Sequence, residues 1–282
     1  MFTREQREQL GNHLVSAAKG DPRISGAAFT GSAASGREDQ WSDIDFALCV
    51  HDSSSQGEVI ADWTNKLYEN HQALTHCDVL RGRILYRVFL LENTLQVDIS
   101  FWPANEFGAI GPTFQLLFGS ANTPRPAPQP ELKELIGMAW LYALHVRSSI
   151  ARGRCWQAEY MLNGMRENTL ALACVRSGVS ALQGRGLDDL PEHIKSSATA
   201  SLPSSLHSAE LKRAFRVTMN VLLSEIRQAD PDLANKLESS LNEIVHCVGD
   251  TSDIRVSRPP GGEAPAEVQA AAGQSIYGSS HL

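Results

Sequence analysis

The sequence predicts an α+β fold in two parts, a mixed β-sheet backed by helices followed by an all-helical C-terminal domain. Three observations carry this reading. The first hundred residues interleave short apolar runs of strand length with amphipathic helical stretches; a segment with four prolines, Thr123 to Pro130, interrupts the chain; beyond it the periodicity is helical throughout. At 282 residues, 42% hydrophobic and 20% charged, the chain has enough apolar material for two modest domains. The expected boundaries are 1–122 for the sheet domain, 123–130 for a stiff linker, 131–250 for the helical domain and 251–282 for a tail.

Each element has its own local reason. Leu10, Leu14 and Ala18 recur at helical spacing, so Thr3 to Lys19 reads as an amphipathic helix ending near Gly20. Ile24 to Thr30 reads as a strand terminated by Gly31, and Ile44 to Val50 as a second, followed by a serine-rich turn at Asp52–Ser55. Val59, Ile60, Trp63 and Leu67 then share one helix face. Ile84 to Leu91 and Leu95 to Phe101 are apolar runs separated by Glu92–Asn93–Thr94, a hairpin pattern. Pro130 suits the first turn of a helix reaching about Ala151, and a second helix spans Trp156 to Arg176, ending at Gly178. Leu211, Phe215, Met219, Leu222 and Ile226 form one stripe; Leu233, Leu237, Leu241 and Ile244 form another behind the cap Asp230–Pro231. Arg258 to Leu282 is rich in Gly, Pro, Ala and Ser and reads as disordered.

Bulk properties exclude several function classes. No apolar stretch approaches the length of a bilayer span, and Met1 to Leu10, carrying Arg4, Glu5, Arg7 and Glu8, has no apolar region of the signal-peptide kind. Five scattered cysteines with no CxxC pair fit free, mostly buried thiols in a reducing compartment, so a cytoplasmic location is expected. A net charge of −7 argues against a nucleic-acid partner, which calls for a basic face, and is compatible with a cationic small substrate.

Strand alternation places Asp43 and Asp45 together on one face, with Ile44 and Phe46 on the other. Two neighbouring carboxylates repel, and each gains a raised pKa unless a cation neutralises the pair. A hard divalent metal with oxygen ligands answers that need. Asp98 repeats the pattern between the inward-facing Val97 and Ile99. A third carboxylate beside the first two allows two metals about 3.5–4 Å apart. Gly31–Ser32 falls at a strand end, where a glycine lets backbone amides approach phosphate and the hydroxyl adds a donor; Ser35 and Gly36 keep the connection short and pliant.

Gly31–Ser32, ten intervening residues and then Asp43–Ile44–Asp45–Phe46 resemble the signature of the polymerase-β-like nucleotidyltransferase superfamily, with Asp98 standing where that superfamily carries its third carboxylate. The motifs cover about residues 24–102. A helical domain behind a minimal catalytic domain is similar to the antibiotic-modifying branch, the aminoglycoside adenylyltransferases and lincosamide nucleotidyltransferases. So are the stretch Arg152 to Glu159, Arg166, and the stretch Gln183 to Leu187.

The resemblance implies in-line attack by a substrate hydroxyl on the α-phosphorus of a nucleoside triphosphate, AMP from ATP with two Mg²⁺ ions, releasing pyrophosphate. It implies Asp43 and Asp45 as metal ligands, Asp98 as third ligand or base, and Gly31 and Ser32 on the β,γ-phosphates. The acceptor it implies is a small molecule of aminoglycoside or lincosamide type. Adenylylation of a protein partner, action on RNA ends (disfavoured by the acidic balance) and a non-catalytic nucleotide-binding regulator remain as other readings.

Outside the motif, Glu159 reads either as a general base or as an acid favoured near a helix start. Arg166, on an apolar helix, reaches a phosphate or makes an interdomain ion pair, and Arg185 contacts the triphosphate or is simply a basic residue after a helix. Arg83 and Arg87 share a strand face, toward a nucleotide or toward solvent. His71, His76, Cys77 and Asp78 match no structural zinc spacing. Trp102 and Trp156 stack on a ligand ring or pack.

Overall fold

Thr3 accepts a hydrogen bond from the Gln6 amide while the Gln6 side chain accepts one from the Thr3 amide, a capping box that starts α1 (Arg4–Gly20). The computed structural model describes residues 1–51, 54–111 and 113–249; the expected tail at 251–282 lies outside the described residues, as does part of the turn at Asp52–Ser55. Helix α1 turns Leu10, Leu14 and Ala18 inward, and Arg7 falls on the same buried stripe. Strands β1 (Ile24–Thr30) and β2 (Ile44–Val50) run over the residues their apolar patterns indicated, with a single helical turn, α2 (Gly31–Ala34), after β1. Ser55 caps α3 (Gln56–His71).

Then come β3 (Ala73–Arg81), β4 (Ile84–Leu91), β5 (Gln96–Pro103), β6 (Gly108–Ile110), β7 (Phe114–Phe118) and β8 (Asn122–Arg125). The main sheet has the order β3-β4-β5-β2-β1-β7; β2 and β5 are parallel and the other neighbours antiparallel. The mixed sheet backed by helices is therefore present.

One face of the sheet carries Phe46, Leu48, Val50, Phe89, Val97, Ile99 and Phe101 against Leu10 and Leu14 of α1 and Val59, Trp63 and Leu67 of α3. The other face carries a smaller cluster, Ala28, Ala47, Cys49, Ile84, Trp102 and Phe107. Trp63 is fully buried, and its indole nitrogen donates to Asp21 at 3.2 Å. Asp21 also accepts from the Arg23 guanidinium at 2.9 Å on both oxygens, and Arg23 reaches on to Asp62 at 2.6 Å.

Strand β3 lacks an alternating signal because it is an edge: Leu74 and Leu80 are exposed and only one side is paired. The first residues of the expected linker, Thr123–Arg125, belong to β8, which pairs in parallel with β6. Pro124 is tolerated because this two-stranded ribbon leaves it at an edge.

The chain divides into two compact units, Met1–Pro128 and Gln129–Leu282. The described part of the second unit is helical: α4 (Leu132–Ala151), α5 (Cys155–Ser177), α6 (Glu192–Ala200), α7 (Ser208–Ala229) and α8 (Pro231–Gly249). Pro130 sits outside α4, whose N-cap is Glu131. The α7 stripe is buried as its spacing requires, and Asp230 caps α8 by accepting from the Leu233 amide at 2.9 Å. Helices α4, α5, α7 and α8 share one apolar core. Gly164 on α5 has no room for a methyl group, because an added Cβ would lie 2.7 Å from the Tyr142 ring of α4.

The expectation of mostly buried thiols needs correcting. Cys49 and Cys174 are buried, but Cys77 and Cys247 are exposed and Cys155 lies between, since residues of edge strands and helix surfaces are placed by pairing rather than by polarity. Among the described residues no helix is long and apolar enough to cross a membrane.

The buried ion pair of Asp21 has a pH consequence. Its hydrogen bonds from Arg23, stronger than the opposing effect of burial, hold the carboxyl down from 3.8 to about 2. A depressed folded-state pKa contributes stability that is present above about pH 4 and is lost as pH falls through about 2. The Asp21→Asn variant is expected to lose about 2 kcal/mol at neutral pH. It should also show a flatter acid limb between pH 4 and 2 in denaturant titrations.

Candidate functional site

The parallel pairing of β2 and β5 sets Asp45 directly opposite Asp98. Asp43 stands two residues before Asp45 on the same face, one position ahead of β2. One carboxylate oxygen from each of the three lies within 4.8 Å of the others, and all three residues are half-buried. Among the described residues this is the one cluster of histidine, cysteine, aspartate or glutamate side chains with metal-ligand spacing. The side chains between them, Ile44, Phe46, Val97 and Ile99, are buried on the opposite face, so the apolar core dictates that the acids project together.

Burial, together with the charge of Asp43, pushes the Asp98 carboxyl up from 3.8 to about 6, against the lowering effect of a hydrogen bond from Gln96. The Gln96 amide nitrogen donates to Asp98 Oδ1 at 3.1 Å and to Asp43 Oδ2 at 3.3 Å. A neutral amide thus lends partial positive charge between two carboxylates. Sequence reasoning missed Gln96, although a signal existed: it stands two residues before Asp98 in a strand, hence on the same face.

Gly31 packs against this cluster. Its φ is +60°, and a Cβ added there would lie 1.8 Å from Asp45 Oδ2 and 2.8 Å from Asp45 Cγ. No side chain fits, and the backbone conformation favours glycine as well. The next residue, Ser32, has its carbonyl engaged by the Arg37 amide at 3.1 Å and by the Ser35 hydroxyl at 3.1 Å. Its own hydroxyl oxygen is buried and has no hydrogen-bond partner among the described residues. An orphaned hydroxyl on the residue after Gly31 is the kind of group a ligand oxygen satisfies. Three carboxylates form an all-oxygen donor set that fits a hard divalent cation, and Ser32 adds a donor for an anion bound to it.

The other candidates divide sharply. Arg87 lies on the helix-covered face, where it donates to both Asp78 oxygens at 2.7 Å and reaches Thr64 of α3 at 2.5 Å. Arg83 pairs with Glu106 at 3.8 Å. Trp102 is buried and donates to the Ser100 hydroxyl at 2.8 Å, so it packs rather than stacks on a ligand. His76 shares a hydrogen bond with Tyr68 at 2.8 Å.

In the helical unit, Arg166 is buried and tied to Ser201 and Asn163, with Glu159 at 3.9 Å. The second Glu159 oxygen is buried without a hydrogen-bond partner among the described residues, and burial raises its carboxyl pKa against the opposing effect of Arg166. Arg185 is exposed on the loop before α6, and Trp156 is 80% exposed on α5.

No family model and no curated protein matches the sequence. One solved structure to which the chain is similar is an aminoglycoside 6-adenyltransferase from Bacillus subtilis, with a TM-score of 0.38 and 13% identity over 86% of this chain and 98% of that one. The activity named there belongs to that protein; the chemistry of this chain rests on its own residues.

Two outcomes test the geometry. In the metal-free protein, carbon-detected NMR should place the Asp98 titration near 6, and Gln96→Ala should move it higher by removing the bond that favours the charged form. Gly31→Ala should cost at least about 1–2 kcal/mol from its left-handed backbone alone. Displacement of the Asp45 carboxylate adds to that cost, so a thermal midpoint equal to wild type would contradict the contact.

Proposed function

We propose that this chain transfers a nucleoside monophosphate from a nucleoside triphosphate, ATP by the sequence resemblance, to a hydroxyl of a small molecule. The observation that carries the reading is the convergence of three carboxylates within 4.8 Å, two on strands and one just ahead of β2, with Gly31 in contact and the buried Ser32 hydroxyl unsatisfied among the described residues. Asp43, Asp45 and Asp98 would hold Mg²⁺, which when bound neutralises the triphosphate and stabilises charge developing during transfer.

The chain's own residues do the rest. Ser32 donates its hydroxyl to a phosphate oxygen, and Gly31 allows that oxygen to approach the backbone. The acceptor hydroxyl oxygen forms the new bond to the α-phosphorus, the bond to the bridging oxygen breaks, and pyrophosphate leaves. The hydroxyl proton passes to a carboxylate. Asp98, as the alternative to its ligand role, is the group of this site suited to receive it; Glu159, the other candidate base of the sequence, has a carboxyl pKa raised by burial. Arg166 and Arg185 are carried from the reading of the residues as proposed triphosphate contacts, and an acceptor of aminoglycoside or lincosamide type comes from the resemblance.

The test is incubation with labelled ATP and Mg²⁺ against a panel of aminoglycosides, lincosamides, RNA and cell lysate, following pyrophosphate release and the labelled product. Label is expected on a small molecule, and Asp45→Asn should lower transfer by roughly a hundredfold or more. Full activity in Asp45→Asn would sink the site. Label on a protein or RNA would replace the acceptor class, and tight ATP binding with no transfer would make the protein a regulator.

A further inference from the structure

Among the described residues, the segment joining Gly31–Ser32 to Asp43 is tied to α1 through one buried arginine. Residues 37–41 are exposed, with Trp41 at 69%, and they make no strand. Within the segment, Asp39 accepts from the Trp41 amide at 2.8 Å and exchanges hydrogen bonds with Ser42. These close a local turn without attaching it to anything. The attachment comes from α1, where Arg7 is only 1% exposed. Its Nη1 donates to the Asp39 carbonyl and, at 3.5 Å, to the Ser42 carbonyl, while its Nε faces Glu38 at 3.2 Å. Ser42 is the residue before Asp43.

Stability alone gives a poor account of this arginine. It occupies an otherwise apolar helix stripe, Leu10, Leu14 and Ala18. Its Nε and Nη2 are both buried with no hydrogen-bond partner among the described residues, so Nε meets Glu38 as an ion pair only. Burying an incompletely paired guanidinium carries a desolvation penalty, and an apolar side chain of similar volume is often as stable or more so. What an apolar side chain cannot do is donate to two carbonyls, both from Nη1, and set its charge beside a carboxylate of the same short segment.

We propose that Arg7 is a positioning residue for the candidate metal site: it fixes residues 38–42 so that the Asp43 carboxylate joins those of Asp45 and Asp98. The fixing of the segment stands on the contacts above; its effect on a bound cation rests on the proposed reading of the three aspartates. The two opposing effects have opposite signs. Removing a positive charge near an acidic cluster strengthens cation binding by simple electrostatics, whereas releasing Asp43 weakens it.

The experiment compares the full-length wild type with Arg7→Met, Arg7→Lys and Asp45→Asn. It uses hydrogen–deuterium exchange over residues 37–43, Mn²⁺ binding by electron paramagnetic resonance, and thermal unfolding. Arg7→Met is expected to keep its unfolding midpoint within about 5 °C of wild type. Its exchange over 38–43 should rise at least about tenfold and its Mn²⁺ affinity fall about fivefold or more. Arg7→Lys, which keeps the charge and loses the guanidinium, should fall between on both readouts. Unchanged exchange in Arg7→Met, or Mn²⁺ bound as tightly or more tightly, would overturn the proposal. Should Arg7→Met unfold, the same criteria apply to Arg7→Lys. If the wild type bound no Mn²⁺, or Asp45→Asn bound it equally well, the metal reading would fail, while exchange would still decide whether Arg7 fixes the segment.

Discussion

Three carboxylates whose oxygens lie within 4.8 Å of one another repel, and the sheet domain is organised around keeping them there. The constraint is borne by the register of β2 against β5. Because that pairing is parallel and both strands are buried, a slip of one residue would carry Phe46, Leu48, Val97 and Ile99 out of the core. The free energy of the apolar face therefore enforces the arrangement of the polar one. Local compensation is modest: Gln96 places an amide between Asp43 and Asp98, while burial, with a smaller effect from the charge of Asp43, raises the Asp98 carboxyl to about 6.

Around that constraint the other features fall into a hierarchy. Gly31 is required by proximity, since its α-carbon faces the Asp45 carboxylate with no space for a methyl group. Ser32 follows Gly31 in the turn of α2, and its buried hydroxyl is unsatisfied among the described residues. Arg7 holds the other end of the connection, where Asp43 has no strand partner of its own to fix it. On the far face, the Asp21–Arg23–Asp62 pairs and the Trp63 indole lock the start of β1 to α3.

The helical unit shows a different use of charge. Arg176 and the buried Glu225 pair at 2.8 Å between α5 and α7, a satisfied and structural interaction. Glu159 and Arg166 on α5 are less complete: the guanidinium is anchored by Ser201 and Asn163, at 3.9 Å from an acid that keeps one oxygen unsatisfied. Trp156 and Tyr160 are exposed on the same helix, at 80% and 72%.

The sequence by itself determined the elements whose pattern coincides with their packing. Strands β1 and β2, the α1 and α7 stripes and the shared face of Asp43, Asp45 and Asp98 were legible, because buried strands and amphipathic helices are specified by the periodicity of their own side chains. Tertiary structure decided what depends on neighbours distant in sequence. Strand β3 is a paired edge with two exposed leucines, and β8 takes a proline into a ribbon because residues near 108 lie beside it. The site divides the same way. Strand alternation put the three acids on one face, but only the β2–β5 register made Asp45 and Asp98 neighbours. Arg7 lay in view on the α1 stripe among Leu10, Leu14 and Ala18, yet a charge on a helix stripe acquires a meaning only when the chain that covers it is known. In this fold that covering chain is the segment ending at Asp43.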